Sequence, residues 1–202
     1  MEGSMFYWVL WVLWVYLTFM ANKENNHRLN LSVIILLIII LSNFQLRLGF
    51  FEITASGLFM LLLSYIILSK EKNWSLIYIY LCTVIITLAY AAFNLFEIFD
   101  PIWIIFQKEW MMGISFCYLA VLLQKTLKGR LLVIVCGTMQ GEIVYSYFLS
   151  RLEFSYPISS LEYLDVWALI TVLLLVWSLL ENTGTILQNH FNFMEKQKQK
   201  SS

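Results

Sequence analysis

Seven long apolar runs, separated by short polar gaps, dominate the chain. The runs are 5–21, 29–46, 49–69, 74–96, 101–123, 131–149 and 161–180. Each is close to the roughly 20 residues that an α-helix needs to cross about 30 Å of hydrocarbon. The pattern predicts an all-α polytopic membrane protein, a bundle of seven transmembrane helices. One membrane domain, 1–181, is followed by a basic cytoplasmic tail, 182–202.

Basic residues fall mainly in alternate gaps, and this asymmetry predicts the orientation of the bundle. Ten lie in the first, third and fifth gaps and in the tail, against three in the other gaps. The ten are Lys23, Arg28, Lys70, Lys72, Lys125, Lys128, Arg130, Lys196, Lys198 and Lys200; the three are Arg47, Lys108 and Arg151. Because cytoplasmic loops carry an excess of Lys and Arg, we expect the N-terminus outside and the C-terminus inside.

The composition supports a membrane protein. Hydrophobic residues make up 60% of the 202 residues, charged residues make up 13%, and the mean hydropathy is +0.75. These values exclude a soluble globular domain and a disordered chain. Nearly all of the length lies in the runs, which leaves no room for a soluble catalytic module. The expected environment is the lipid bilayer, and the basic inner face suits contact with anionic headgroups.

Local signals mark two helix starts on the outer side. Asp100 and Pro101 place an N-cap residue before a proline at the first helical position. Ser159 and Glu162 have the spacing of a capping box before the last run. A charged cluster ends the segment 101–109 and leaves two alternatives open. Either the segment lies in the membrane interface, or it is transmembrane and the cluster faces water or protein.

The tail opens with a predicted helix stop. Asn182, Thr183 and Gly184 are residues typical of the end of a helix. Beyond them, four apolar residues share one helical face and precede three lysines. A short helix on the inner leaflet and a frayed tail are both compatible with this pattern.

Glu142 is the one acidic residue deep within a predicted span, 131–149. An ionisable side chain there costs at least about 2.5–3.5 kcal/mol, so it must face protein or water, or be protonated. Gln140 is two residues away, about 200° around the helix, so the two polar groups point to nearly opposite faces. A helix that is polar on both sides belongs inside the bundle. Gly137 and Gly141 form a G-x-x-x-G motif, which lets a neighbouring backbone approach closely.

A polar seam on the fourth run offers partners for Glu142. Its residues recur every three or four positions, on one face of a helix. They are Tyr80, Thr83, Thr87, Tyr90, Asn94 and Glu97. On the sixth run, Thr138 and Tyr145 extend the face of Glu142 with the same spacing.

These two faces predict a buried polar site. Thr87 and Tyr90 lie at about the depth of Glu142 when both helices run from the cytoplasm outwards. We predict that Glu142 is buried between the fourth and sixth helices, near Thr87, Tyr90 or Tyr145. Interhelical packing is the favoured interpretation of the site, and an ion or proton pathway is the alternative.

Catalytic motifs are absent from the sequence. No spacing matches a zinc-protease helix, a nucleophile elbow or a phosphate-binding loop, and His27 and His190 both lie on the cytoplasmic side. The basic residues are scattered over membrane-adjacent loops, which argues against nucleic-acid binding. We therefore expect no catalytic residue, no metal, no cofactor and no nucleic-acid partner.

The opening of the chain carries a distinctive aromatic pattern. Its residues are Met1-Glu2-Gly3, Phe6-Tyr7-Trp8, Trp11, Trp14 and Thr18-Phe19-Met20. This pattern resembles the start of the YphA-like family of bacterial membrane proteins, and the total length and apolar layout are also similar. The resemblance implies a multi-pass protein of a Gram-positive bacterial plasma membrane. It brings no established activity and no site residues.

The lipid-facing and helix-facing surfaces are therefore the features that predict function. We expect a non-enzymatic integral membrane protein that scaffolds or assists another membrane protein. A small transporter or ion-permeable protein, which would use Glu142 and the polar seam, is the alternative, and a membrane enzyme comes third. The sequence does not determine the activity, the partner or the oligomeric state.

Overall fold

Seven α-helices and one β-hairpin form the described part of the chain. The computed structural model describes residues 2–21, 27–48, 51–100, 107–154 and 156–201, with the backbone alone at 27, 48, 51, 73 and 185–201. Helices α1 to α7 are Ser4–Val15, His27–Leu41, Ala55–Leu68, Asn73–Phe99, Lys108–Leu123, Leu127–Arg151 and Leu161–Ser201. A π-helical turn, Tyr16–Met20, extends α1. Strands β1, Gln45–Leu48, and β2, Phe51–Thr54, lie between α2 and α3.

The fold is mostly helical (82%), and its helices differ in length. Three stretches of the described chain are long and apolar enough to cross a membrane: Trp74–Phe99, Leu127–Arg151 and Leu161–Gly184. They belong to α4, α6 and α7. Ser4–Met20, Arg28–Leu41 and Ala55–Leu68 are shorter apolar helices.

Helix α6 lies at the centre of the bundle. It packs against α3, α4, α5 and α7, most extensively against α4. Val133, Ile134 and Met139 are among its buried apolar residues. Helix α1 packs against α7 and α2, and α2 packs against α3. The polar side chains in the middle of α6 therefore face protein, as a membrane environment requires.

A β-hairpin replaces the outer ends of two predicted helices. The run 29–46 is helical only to Leu41, and the run 49–69 becomes helical at Ala55. Between them, β1 and β2 pair antiparallel, with an ion pair between Arg47 Nε and Glu52 Oε1 (2.9 Å) across the strands. The predicted helix is wrong here because polar and apolar residues alternate along 45–48. That period of two places them on opposite faces of a strand.

Two predicted helix boundaries on α7 also change. The Tyr163 N–H donates to Ser160 Oγ (3.3 Å), so Ser160 caps the helix, one residue after the predicted Ser159. Helix α7 continues through Gly184 to Ser201, which makes the predicted stop at 182–184 wrong. A single glycine costs a helix about 1 kcal/mol relative to alanine, and this does not suffice to end it.

The charged cluster at the start of α5 contacts other helices. Lys108 Nζ lies 2.8 Å from Glu97 Oε2 and 3.3 Å from Glu162 Oε1. It joins the C-terminal end of α4 to the N-terminal ends of α5 and α7. The predicted helix start at Pro101 falls outside the described residues, and α5 is described from Lys108.

Candidate functional site

Glu142 lies on the C-terminal half of α6, and its side chain is completely buried (0% exposed). Arg151, at the end of the helix, is nine positions further along the chain, about 14 Å at the α-helical rise per residue. Burial removes the carboxyl group from water, and that loss must be offset by hydrogen bonds from the protein.

Three donors surround the Glu142 carboxyl. Tyr90 on α4 donates its hydroxyl to Oε1 at 2.5 Å. Tyr156 donates its hydroxyl to the same oxygen at 3.2 Å, and the Ser159 N–H donates to Oε2 at 3.2 Å. The carboxyl therefore joins three parts of the chain: α4, α6 and the segment before α7.

The segment before α7 folds into the bundle instead of lying on its surface. Ile158 and Ser159 are buried. The Ile158 N–H donates to Glu52 O (2.7 Å), and the Thr54 N–H donates to Ile158 O (3.1 Å), so Ile158 pairs with the hairpin. These backbone bonds fix the segment in the position from which it reaches Glu142.

Tyr156 is held on both its backbone and its ring. Ser146 Oγ donates to Tyr156 O at 3.2 Å, and the Tyr145 ring packs edge-on against the Tyr156 ring, with centroids 4.9 Å apart. Burial, together with the neighbouring Glu142 carboxyl, raises the pKa of the Tyr156 phenol above its ordinary value. The hydroxyl therefore keeps its proton and can donate it in a hydrogen bond to Glu142.

Ser159 has an unusual backbone at this position. Its φ of 60° lies in the left-handed region, which L-residues adopt at a cost. Its Oγ is buried and has no hydrogen-bond partner among the described residues. A Cβ at position 57 would overlap this Oγ, so the close approach of α3 to Ser159 requires Gly57.

The residues of the predicted polar seam on α4 make different kinds of contact. Thr83 Oγ1 donates to Ile79 O (2.9 Å) and Asn94 Nδ2 donates to Tyr90 O (3.0 Å), so both side chains bond to their own helix. Tyr80 is exposed. Only Tyr90 reaches the Glu142 carboxyl. Glu97, at the C-terminal end of the seam, pairs with Lys108 instead.

Thr87 contacts α6 at Gly137 and Gln140 and not at the carboxyl. Its Oγ1 lies 3.1 Å from Gly137 O and 3.3 Å from Gln140 Oε1. Gln140 Nε2 in turn donates to Tyr65 Oη on α3 at 2.6 Å. The Gln140 amide therefore contacts α3 and α4. The Glu142 carboxyl contacts α4 at a different residue, and also the segment 156–159.

Thr138 and Tyr145 lie close to the site without touching the carboxyl. Thr138 Oγ1 hydrogen-bonds Tyr163 Oη on α7 at 2.8 Å. Tyr145 contacts the ring of Tyr156. The Tyr163 ring packs edge-on against the Tyr90 ring, with centroids 6.2 Å apart. Thr138, through Tyr163, and Tyr145 therefore each support one of the tyrosines that donate to Glu142.

Gly137 and Gly141 allow α4 to approach α6 closely. A Cβ at position 137 would lie 2.5 Å from Ile86 Cγ2, and one at position 141 would lie 2.8 Å from Tyr90 Cβ. Both distances are far shorter than ordinary contacts between carbon atoms. The glycines bring Tyr90 near enough to donate to Glu142.

Tyr156 and Ser159 are the contacts that the sequence did not predict. They belong to an irregular segment, in which no period indicates which side chain faces the bundle. The polar residues around Pro157 could equally well have indicated an exposed loop.

The chemistry of the arrangement is that of a carboxyl fixed by neutral donors. Two hydroxyl groups and one amide bond to its two oxygens. Such a cluster can hold three chain segments together, and a carboxyl is also a group that can accept a proton.

Comparisons with known proteins agree on one family. A family model described as "YphA-like integral membrane protein" matches residues 2–200. A protein of Bacillus subtilis (strain 168), described as "Uncharacterized protein YphA", is 30% identical to the chain over 165 residues, which is 82% of this chain and 81% of the relative. No solved structure matches the chain significantly.

Proposed function

Because the chain belongs to the YphA-like family of integral membrane proteins, we propose that it scaffolds or assists another membrane protein and catalyses no reaction. We further propose a multi-pass protein of the bacterial plasma membrane, with seven spans, the N-terminus outside and the C-terminus inside. The seven helices and the ten-to-three distribution of basic residues support this topology.

The state of Glu142 carries the proposal. Its carboxyl oxygens are occupied by donors from two other parts of the chain. Gly141 adds a tight backbone contact beside it. Side chains that form such interhelical hydrogen bonds fix the relative positions of helices. A scaffold needs a rigid bundle of this kind, because its outer surface must keep a constant shape.

The outer surface offers large apolar side chains to neighbours in the membrane. Trp8, Trp11 and Phe19 on the first helical segment are exposed, and so are Phe96 and Phe99 at the outer end of α4. Association of transmembrane helices depends on the packing of such surfaces. An assisting role would use these exposed surfaces, and the interior would hold them in place.

Crosslinking and flux measurements distinguish the scaffold from a transporter. We expect a specific membrane protein to be crosslinked in cells and to co-purify with the chain in mild detergent. An unrelated polytopic protein expressed at the same level is the control. If the purified chain alone moves protons or ions across liposome membranes, the proposed scaffolding role is wrong.

Glu142→Gln separates packing from a pathway. The amide introduced by this substitution can accept from the Ser159 N–H through its oxygen and donate to the hydroxyl oxygens of Tyr90 and Tyr156, which are also acceptors. We expect normal accumulation and an unchanged set of crosslinked partners. Loss of function in a protein that accumulates normally would instead support a pathway through the carboxyl.

A reporter that is active only in the cytoplasm tests the topology. Fused after Ser202, it should be active, and fused in the hairpin between Leu48 and Phe51 it should be inactive. An expressed but inactive fusion at Ser202 would contradict the proposed orientation.

A further inference from the structure

A groove between α3 and α4 is the feature of the membrane-facing surface that the scaffold proposal leaves unexplained. Both helices pack against α6, but in the described chain they make few contacts with each other. They diverge from the short turn 69–72, and the space between them has a volume of about 260 Å³. Leu68 and Leu76 line its walls, and Cys136 of α6 lines its floor.

A hydrogen bond between α3 and α6 lies along the groove, away from the turn 69–72. Gln140 Nε2 donates to Tyr65 Oη at 2.6 Å, and both residues line the groove. From Leu76 to Thr83 the groove follows seven residues of α4, about 10 Å. Its volume is slightly below the roughly 300–1,000 Å³ of sites for drug-sized ligands, which suits one slender apolar chain.

The open end of the groove is basic. Lys70 and Lys72 are exposed in the turn that follows groove residue Ser69, and the N–H of groove residue Leu76 donates to Lys72 O at 2.9 Å. Glu71, between the two lysines, is paired with Lys128 Nζ at 2.6 Å. Among the described residues neither Lys70 nor Lys72 has an acidic partner, so this end attracts an anion.

We propose that this groove is a binding site for an anionic phospholipid of the inner leaflet. One acyl chain lies in the groove between α3 and α4, and Lys70 and Lys72 contact the phosphate. Apolar walls that lead to a basic mouth match the two parts of such a lipid. The leaflet follows from the proposed topology, whereas the site itself depends only on the groove and the two lysines.

Photocrosslinking with two lipids tests the site. The full-length protein is placed in neutral nanodiscs at low ionic strength with phosphatidylglycerol or phosphatidylcholine, each carrying the same diazirine-labelled acyl chain. We expect peptides that contain Leu76 and Cys136 to be labelled about 30-fold more by phosphatidylglycerol, the ratio that corresponds to about 1 kcal/mol for each lysine. Equal labelling of these peptides by the two lipids would overturn the proposal.

Two variants with the same change in charge locate the headgroup. K70Q/K72Q should bring the labelling by the two lipids close to equality. The control K196Q/K198Q removes two lysines from the tail on the same side and should preserve the preference. If both double variants reduce the preference equally, the lysines act through a general surface charge and the site is wrong.

Filling the groove tests the position of the acyl chain. Leu76→Trp should remove labelling by both lipids from the Cys136 peptide, while the protein keeps the elution volume of the unsubstituted protein. Persistent labelling of that peptide would contradict the proposal, as would a co-purified protein that protects the groove from both lipids. Ion flux through the chain or a reversed topology would leave the dependence on Lys70 and Lys72 unchanged, so failure of the proposed function is distinguishable.

Discussion

Helix α6 buries a basic side chain in its N-terminal half, Arg130, and an acidic one in its C-terminal half, Glu142. The two side chains are stabilised by different kinds of contact. Near the N-terminal end of α6, Arg130 is 3% exposed and forms two hydrogen bonds to Glu181 on α7, at 2.7 and 3.0 Å. Its Nε donates to Gln124 O at 2.7 Å. In the C-terminal half, Glu142 is 0% exposed, and its hydrogen-bond donors among the described residues are all neutral.

The difference matches the exposure of the partner groups. The Glu181 side chain is 46% exposed, so the ionic pair keeps one partner hydrated while the guanidinium is buried. A fully buried ion pair would carry the desolvation cost of two charges. Around Glu142 no such hydrated partner is in contact among the described residues, and hydroxyl and amide donors replace it. The same helix therefore has an ion pair with a partly exposed partner at Arg130 and neutral hydrogen bonds at the fully buried Glu142.

The largest effect is expected from Glu142→Ala. It leaves three donors without an acceptor and opens a cavity, which should lower the free energy of unfolding by about 3 kcal/mol or more. Glu142→Gln should cost less than about 1 kcal/mol, because an amide can replace the three bonds. Denaturant titration in detergent micelles measures both variants. Equal losses for the two would show that charge, and not hydrogen bonding, holds the site.

Gly141→Ala should have the next largest effect. The added methyl group would lie 2.8 Å from Tyr90 Cβ, and the resulting overpacking should cost about 1–3 kcal/mol and separate Tyr90 from Glu142. Gly184→Ala is the matched control, because nothing lies within 4 Å of a Cβ at that position. We expect Gly184→Ala to raise stability slightly, as alanine favours a helix. The melting temperatures of the two variants, measured side by side, test this prediction. An unchanged melting temperature for Gly141→Ala would contradict the tight contact between α4 and α6.

Glu181→Gln tests the ion pair between Glu181 and Arg130. It should lower the melting temperature at low salt, and the loss should shrink at high ionic strength because a partly exposed pair is screened. The effect of Glu142→Ala should not depend on salt. Glu71→Gln, which breaks the more exposed pair with Lys128, should change little at any salt concentration. If the loss of stability caused by Glu142→Ala depended on salt concentration, a charge interaction would act at Glu142.

The smallest effect is expected from Ser159→Gly, and it should be stabilising. Glycine accepts the left-handed backbone, removes a buried hydroxyl without a partner among the described residues and keeps the N–H that donates to Glu142. Relief of the left-handed backbone, about 1–2 kcal/mol, should exceed the extra conformational entropy that glycine loses on folding, for a net gain of about 0.5–1 kcal/mol. Ser160→Ala, one residue later, removes the cap of α7 and should cost about 1 kcal/mol. A destabilising Ser159→Gly would show that its hydroxyl has a partner in the membrane.

The helices and the family were accessible from the sequence. Apolar runs near 20 residues lead directly to helices, and the family inferred from the first twenty residues is confirmed over 2–200. The hairpin was missed because Leu46 and Leu48 extend the apolar average of the flanking runs, although their alternation with Gln45 and Arg47 indicates a strand.

One of the three donors to Glu142 was accessible in the same way. The period of the polar seam on the fourth run made Tyr90 a candidate partner for Glu142, and the two meet in the fold. The period could not show that Thr83 and Asn94 bond to carbonyl groups of their own helix, as threonine and asparagine often do. Tyr156 and Ser159 required knowledge of how an irregular segment folds back, which depends on its pairing with β2.

The donors of Glu142 become available at different times during synthesis. Tyr90 precedes Glu142 by 52 residues, whereas Tyr156 and Ser159 follow it by 14 and 17. When α6 first enters the membrane, Tyr90 is therefore the one member of this trio that already exists. The pairing of α4 with α6 can shelter the carboxyl during this interval, before the remainder of the chain has left the ribosome. Biogenesis would then depend on Tyr90 more strongly than the stability of the finished protein does.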